Sequence, residues 1–531
     1  MKKSAAMSWF ALAILILIIV FPLLSILSVI GNEAEIDKYE LLSAIKESLL
    51  TTGIVVLVTF PLSLTCAVLL YFSNIQLKAL FSILCILPMF LPPISIGFGL
   101  LSFFGKNGLL FQLFGIRLNL LGKLGIISGH ILYTFPIAFL LFINAFRQLD
   151  ISVYESSLLL KIPFHKYFFR IALPKIKRTV LAIFFQIIIM SFSEYGICLV
   201  VGGRTKTLSL LVYRFVIGRL DFKAGLYLGS IALLPLTILS VSNLVSPPIR
   251  QTIIYRQFIS AHMKTLTVVG YIVLPLVTMI SILLVFSQLL MGFTSNYPIN
   301  TSISLVHIKQ VLSEPYIRYL ANSLIISAFS SILGCILITF VAYNANKGPS
   351  KVVSKILFFI ATIPYAIPGL LFGIGYLIVS RGRLLYGSYA ILILANIAHF
   401  FASPFLLSYF TLSHFSPEIE DILNIYAVPT WKKIKDILIP YLKYTLLDIV
   451  FYIFTNSMIT ISAVAFLSTP HTMPYALVLN SFEGEIEYLG KTASISVVIL
   501  TINLLLFFLI NRIKRLGMSH NLPTEYSSML D

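Results

Sequence analysis

Twelve separate runs of about 20 or more mostly apolar residues divide this sequence. They fall near 8–30, 48–72, 77–104, 124–146, 179–201 and 225–247, then 265–291, 320–344, 353–380, 387–410, 444–468 and 491–512. A helix of that length crosses the ~30 Å hydrocarbon core of a bilayer. In lipid a backbone must satisfy its own hydrogen bonds, so isolated apolar runs predict helices rather than strands. Composition agrees: 58% of the 531 residues are hydrophobic and 11% are charged, against about 25% charged in soluble chains. A soluble or disordered protein is excluded. The first run follows Met1-Lys2-Lys3 and no small-residue cleavage pattern follows it at Gly31-Asn32-Glu33, so it reads as a retained helix.

Lys and Arg mark the cytoplasmic side of a membrane protein. With the N-terminus inside, the inner segments carry 23 Lys and Arg against 8 Asp and Glu, and the outer segments 15 against 10. The net charge of +18 is thereby sorted across a membrane rather than gathered into a nucleic-acid face. Arg147 to Arg178, with seven basic residues, falls inside. Arg204 to Lys223, with five, falls outside and is expected to fold back on the protein. The four cysteines, Cys66, Cys85, Cys198 and Cys335, lie within spans and read as small packing residues, with no metal spacing.

The chain is written twice. Ser48 in Glu-Ser-Leu returns as Ser323 in Asn-Ser-Leu; Pro88, Pro92, Gly97 and Gly99 return as Pro364, Pro368, Gly373 and Gly375. His130 and Pro136 are echoed by His399 and Pro404. Six runs precede and six follow the segment 248–264, so the repeat is parallel, about an axis along the membrane normal. The expected units are 1–247 and 265–515, with 248–264 a cytoplasmic linker and 516–531 a cytoplasmic tail.

Between the fourth and fifth runs each half has a long polar loop, 150–178 and 416–443. Each places an acid first (Glu155, Asp421), a proline eight residues on (Pro163, Pro429) and a second proline at +19 (Pro174, Pro440). Pro163 and Pro429 read as starts of a second short helix. Pro174 and Pro440 read as bends into the next span.

This spacing resembles the EAA loop of binding-protein-dependent ABC importer permeases, whose pattern is Glu-Ala-Ala, Gly at +6 and a hydrophobic-Pro pair at +18/+19. Glu155-Ser156-Ser157 and Leu173-Pro174 match, with Lys161 in place of the glycine. Asp421 and Ile439-Pro440 match more loosely, with Ala427 at the glycine position. The resemblance covers both halves and implies an all-α membrane protein of about 12 transmembrane helices, built as two tandem six-helix type I permease units. In that family the loops dock on two ATPase subunits. It therefore implies that Lys161 to Tyr167 and Ala427 to Lys433 make most of the contact, with Phe164, His165, Tyr167 and Trp431 as anchors and Lys432 beside them. Attraction of the lysines to anionic lipid headgroups is the alternative reading.

The chain carries no catalytic motif. Gly99 to Lys106 has Gly-x5-Gly-Lys, one residue too long for a phosphate-binding loop and without the following Ser or Thr. ATP hydrolysis is expected in a separate subunit, with ATP and Mg bound there and no cofactor or metal in this chain. Glu194, within Ser193-Glu194-Tyr195, lies midway along the fifth run. It reads either as a pathway carboxylate facing a cationic solute or as a carboxyl hydrogen-bonded between packed helices. The matching stretch, with Asn456, Ser457 and Thr460, has no acid. His130 and His399 read as packing histidines or a metal relay, and Asp448 as a helix cap or a partner of Lys443. Pro92, Pro93, Gly97 and Gly99, with Pro368, Gly369, Gly373 and Gly375, predict broken or flexible helices near a gate.

The function expected is the permease of an ATP-driven importer in a bacterial cytoplasmic membrane, with both termini inside. An extracytoplasmic binding protein would deliver the solute. Fused chains of this size are similar to ferric-iron permeases and their thiamine and 2-aminoethylphosphonate relatives. Ser457 to Pro470 resembles the iron and phosphonate members, and polyamine is a further candidate. A twelve-span secondary transporter without an ATPase, and a membrane-embedded enzyme, are the rivals.

Overall fold

The computed structural model describes residues 2–27, 36–105, 108–147, 149–219, 221, 223–229, 231, 264–298, 300–365, 367–382, 385–426, 428–429, 432–482 and 488–519. Most of the sixth predicted run, the linker, the end of the tail, Ala427 and Trp431 lie outside these residues. Each of the remaining eleven runs is helical over most of its length. Among the described residues eight helices are long and apolar enough to cross a membrane, and three bent helix pairs bring the number to eleven if each pair is one span.

The longest helices are packing devices as much as spans. Asp37 caps Lys38–Phe72 by accepting the Tyr39 N–H at 2.9 Å. The buried face of this helix is rich in small residues, among them Ser48, Thr52, Thr59, Ser63 and Ala67. Such a face lets backbones approach closely where lipid offers no hydrophobic drive between helices. It packs on Lys123–Phe146, with Thr134 Oγ1 donating to Thr59 Oγ1 at 3.3 Å. In the second half Tyr316–Lys347 buries the equivalent row Ser323, Ser327, Ser330, Ser331 and Gly334.

Several spans predicted as continuous are broken. Within 77–104, Lys78–Ile86 ends in a short 3-10 turn, Leu91 and Pro92 are extended, and Pro93–Phe104 starts a new helix. Two adjacent prolines leave two positions without an N–H and force the residue before each out of the helical region. In the second half Lys351–Tyr365 and Gly369–Ser380 meet at 109°. Pro92 and Pro368 share one backbone shape, with φ/ψ of −55°/140° and −56°/142°. The spans predicted over 179–201 and 444–468 also stop midway, at Ser193 and Ile459.

The first span of each half crosses to the other half. Ala5–Ile26 lies on the second half: Tyr376 donates its hydroxyl to the Ile18 carbonyl at 2.8 Å, and Ser8 Oγ donates to Asn344 Oδ1 at 3.1 Å. Lys264–Gly292 lies on the first: Gln288 Nε2 donates to the Ser95 carbonyl at 2.7 Å. The repeated glycines sit at these contacts. A Cβ on Gly99 would come within 2.6 Å of Leu284, and one on Gly375 within 2.4 Å of the Pro22 carbonyl oxygen. Gly97 and Gly373 instead face their own half, where a Cβ would meet Val200 or the Ala463 carbonyl at 2.9 Å. All four sit at close approaches.

At the end opposite the polar loops, Lys206 pairs with Glu40 at 2.6 Å and Lys123 with Glu47 at 2.8 Å. The basic segment after Arg204 thus folds back on the protein, and Leu208–Tyr213 is buried. Asp448 pairs with Lys514 of the Leu489–Ser519 helix, not with Lys443. Lys514 lies 66 positions later in the chain, a contact local spacing could not show. The four cysteines are buried and free.

Candidate functional site

Two places hold the predicted residues: the paired polar loops at one end, and the paired breaks where the halves meet.

In the first loop Asp150 caps Ile151–Leu159, accepting the Ser152 N–H at 3.0 Å and its hydroxyl at 2.7 Å. The helix ends in a Schellman turn: the Lys161 N–H reaches the Leu158 carbonyl and the Ile162 N–H the Ser157 carbonyl. Such a turn needs a left-handed residue after the helix, and Lys161 fills it with φ +53°. This is where the EAA pattern carries glycine. Pro163 then caps Phe164–Tyr167. The second loop repeats the bonds: Val428 N–H to Leu423 carbonyl, and the Lys432 and Lys433 N–H groups to Pro429.

The loops present most of the expected residues and bury others. Glu155, Ser156, His165, Asp421 and Lys432 are exposed, and Phe164 is half-buried against the Phe72 ring at 5.3 Å. Ser157 faces inward, its hydroxyl donating to the Tyr154 carbonyl. Tyr167 is no surface anchor. It is buried in an aromatic cluster, 5.0 Å from Tyr154 between ring centroids, which braces the loop on the membrane bundle. The outer tips are Leu159 and Leu160, 85% and 73% exposed, and at the equivalent positions Ile425 and Tyr426, 79% and 77% exposed. Their signal in sequence is an apolar pair four and five residues after the acid, on the polar side of the helix.

The prolines that close the loops behave unequally. Phe164–Lys175 meets Lys177–Ser193 at 78°, two residues after Pro174. Pro440 makes no such bend, because Lys433–Ile459 runs through it as one span. A π-helical stretch precedes each proline, Phe168–Ala172 before Pro174 and Lys433–Leu438 before Pro440, so it does not account for the difference.

At the breaks, Glu194 follows Lys177–Ser193 with φ/ψ of −79°/125°, and Thr460 follows Ile459 with −70°/138°. The two are equivalents. Glu194 Oε1 accepts the Gly196 N–H at 2.6 Å, so the carboxylate caps the short helix Gly196–Val201. Ser193 and Glu194 are half-buried while Phe192, Tyr195 and Gly196 are buried. The breaks adjoin: a Cβ on Gly196 would sit 2.9 Å from Ile461 Cδ1. Asn480 Nδ2 lies 3.4 Å from the hydroxyls of both Tyr195 and Tyr213, whose rings stack at 4.5 Å. Tyr133 lies within electrostatic reach of Glu194 and of Tyr452. Asn456 Nδ2 donates to the Tyr452 carbonyl at 2.8 Å. Tyr133, Tyr213, Tyr452 and Asn480 were not legible, since only the tertiary arrangement brings Tyr133 near Glu194 and Tyr452, and Tyr213 and Asn480 to Tyr195. Among the described residues no three His, Cys, Asp or Glu side chains form a metal-holding group.

The model of the family "Binding-protein-dependent transport system inner membrane component" matches residues 59–251. The "Putative ferric transport system permease protein" of Haemophilus influenzae is 25% identical over 463 residues, 82% of this chain and 72% of that protein. The ferric transport system permease protein of Actinobacillus pleuropneumoniae is 24% identical over 492 residues, 87% of this chain and 70% of that protein. The molybdenum transport system permease protein of Haemophilus influenzae is 31% identical over 187 residues, 33% of this chain and 80% of that protein. The loop spacing of such permeases, present twice in the chain, agrees with these matches. The chain belongs to the binding-protein-dependent transport system inner membrane components and is the permease of an ABC importer.

Proposed function

We propose that this permease imports ferric iron. The observation that carries the reading is the Glu194 carboxylate at the paired breaks, next in the chain to Tyr195, whose phenol and that of Tyr213 each lie 3.4 Å from the Asn480 amide nitrogen. A hard, highly charged cation prefers such donors over thiolate. The ferric naming of two relatives that match most of the chain supports it. A carboxylate at this point disfavours an anionic solute by like-charge repulsion.

The working assembly in this reading has two separate ATPase subunits, which hold ATP and Mg, and an extracytoplasmic binding protein at the opposite end. Both termini lie in the cytoplasm of a bacterial cell with the chain in its cytoplasmic membrane. Units 1–247 and 265–515 form the two halves of the pathway. The exposed tips Leu159–Leu160 and Ile425–Tyr426 enter grooves on the ATPases, and the bases around them steer the approach. ATP-driven closure of the ATPases moves both loops, and the aromatic bracing of the first loop passes that motion to the Lys38–Phe72 and Lys123–Phe146 helices.

The test is solute uptake into proteoliposomes holding the permease with its ATPase and binding protein. Ferric iron is expected to be taken up in an ATP-dependent way, and Glu194→Gln to lower its uptake while ATP hydrolysis persists. Uptake of thiamine or 2-aminoethylphosphonate with none of iron overturns the reading.

A further inference from the structure

The two halves treat one polar cluster differently. In the first half Ser191 Oγ donates to Thr52 Oγ1 at 3.4 Å and lies 3.0 Å from His130 Nδ1, while His130 Nε2 lies 3.5 Å from Cys198 Sγ. Every polar group in this chain of contacts has a partner. The helix that carries His130 runs unbroken over Lys123–Phe146.

The repeat places Ser327 at the position of Thr52, Ser457 at that of Ser191, His399 at that of His130 and Val464 at that of Cys198. Ser327 Oγ, Ser457 Oγ and His399 Nδ1 are buried, and none has a hydrogen-bond partner among the described residues. Asn396, where the first half has Ile127, is 0% exposed, and neither its Oδ1 nor its Nδ2 has a partner there. The helices carrying these groups converge: a Cβ on Gly334 would come within 2.9 Å of Ile453 and 3.4 Å of Ile397. The span breaks at the same place, Tyr389–His399 meeting Ala402–Ser413 at 57°.

A buried amide with all its hydrogen-bonding capacity unused is costly, and such groups are ordinarily satisfied by ordered water when protein offers nothing. An apolar cavity would stay dry, but walls of amide, hydroxyl and imidazole would not. We propose that the second half holds a hydrated polar site bounded by Ser327, Asn396, His399 and Ser457, with a small cluster of water molecules as its ligand. The first half has no such site, because its own side chains close the network. A broken helix inside a membrane persists where its freed backbone groups are satisfied. This inference is independent of which solute is carried.

X-ray radiolytic footprinting of the intact transporter tests it, because hydroxyl radicals form from bound water and oxidise the side chains it touches. His399 is expected to be modified several-fold faster than His130. Asn396→Ile, which supplies the residue of the first half, is expected to slow His399 modification and leave the exposed loop residue His165 unchanged. Equal, slow modification of His130 and His399 in the wild type overturns the proposal. So does a His399 rate that Asn396→Ile leaves unaltered, since that would place the oxidising water in the open pathway.

Discussion

Ser48 Oγ accepts the backbone N–H of Leu208 at 2.7 Å, and Ser323 Oγ accepts that of Tyr475, also at 2.7 Å. Each serine lies on the second span of its half and caps the segment that returns after the mid-membrane break. Removing the hydroxyl strands a buried N–H, which costs about 1–3 kcal/mol. Ser48→Ala and Ser323→Ala are each expected to lower the thermal midpoint in detergent, and the two losses to add because the sites share no partner. An unshifted midpoint in either variant contradicts the assignment.

Lys161 occupies a left-handed position that costs a non-glycine residue about 1–2 kcal/mol. Lys161→Gly is expected to raise stability, less the added entropy of the unfolded chain, and Lys161→Val to lower it, because a β-branched residue fits that conformation worst. Thermal melts of the three proteins check the order Gly, Lys, Val.

Equivalent glycines carry unequal constraints. The Cβ of Gly375→Ala would meet a backbone oxygen of Pro22, whereas that of Gly99→Ala would meet the ends of the Leu284 and Gln288 side chains. Side-chain ends can turn away and a backbone carbonyl cannot without moving the first span. Gly375→Ala is therefore expected to destabilise more than Gly99→Ala, measured by thermal midpoint in the assembled membrane domain. The reverse order contradicts the crossing of Ala5–Ile26 to the second half.

The Ser152 hydroxyl, and then its backbone N–H, hold the Asp150 carboxyl below its ordinary value. A carboxyl whose folded pKa is depressed stabilises above its unfolded pKa and loses that contribution as pH falls through the folded one. Amide exchange at the start of Ile151–Leu159 is expected to be slow at neutral pH and to quicken relative to its intrinsic rate as Asp150 is protonated. Asp150→Ala is expected to show the fast behaviour at neutral pH as well. A wild-type helix start that exchanges like the variant at neutral pH contradicts the cap.

Much of this was legible because membrane helices and loop punctuation are local signals. The apolar runs located eleven of the described crossings, and the acid-to-proline spacing located both polar loops. Local signals could not show which half each first span joins, since an apolar helix face matches either. They placed Tyr167 on the surface because aromatic residues at a turn suit an interface, while the ring cluster around Phe72 needs the third dimension. The break at Glu194 was missed for a related reason. Ser193-Glu194-Tyr195 sits in an apolar run with no proline, and the capping bond to Gly196 forms only once the helix has stopped. The contrast between His130 and His399 rests on the contacts of His130 with Ser191 and Cys198, which the repeat spacing does not show.

In the proposed assembly the two loops couple this permease to ATP hydrolysis. This coupling is tested most directly by ATP-dependent uptake and ATPase retention in proteoliposomes, comparing the wild type with Glu155→Lys/Asp421→Lys. The wild type is expected to retain the ATPase and take up solute only with ATP, and the double variant to lose both at an unchanged thermal midpoint. Undiminished uptake by the double variant, or uptake by the chain alone down an ion gradient, would contradict the account.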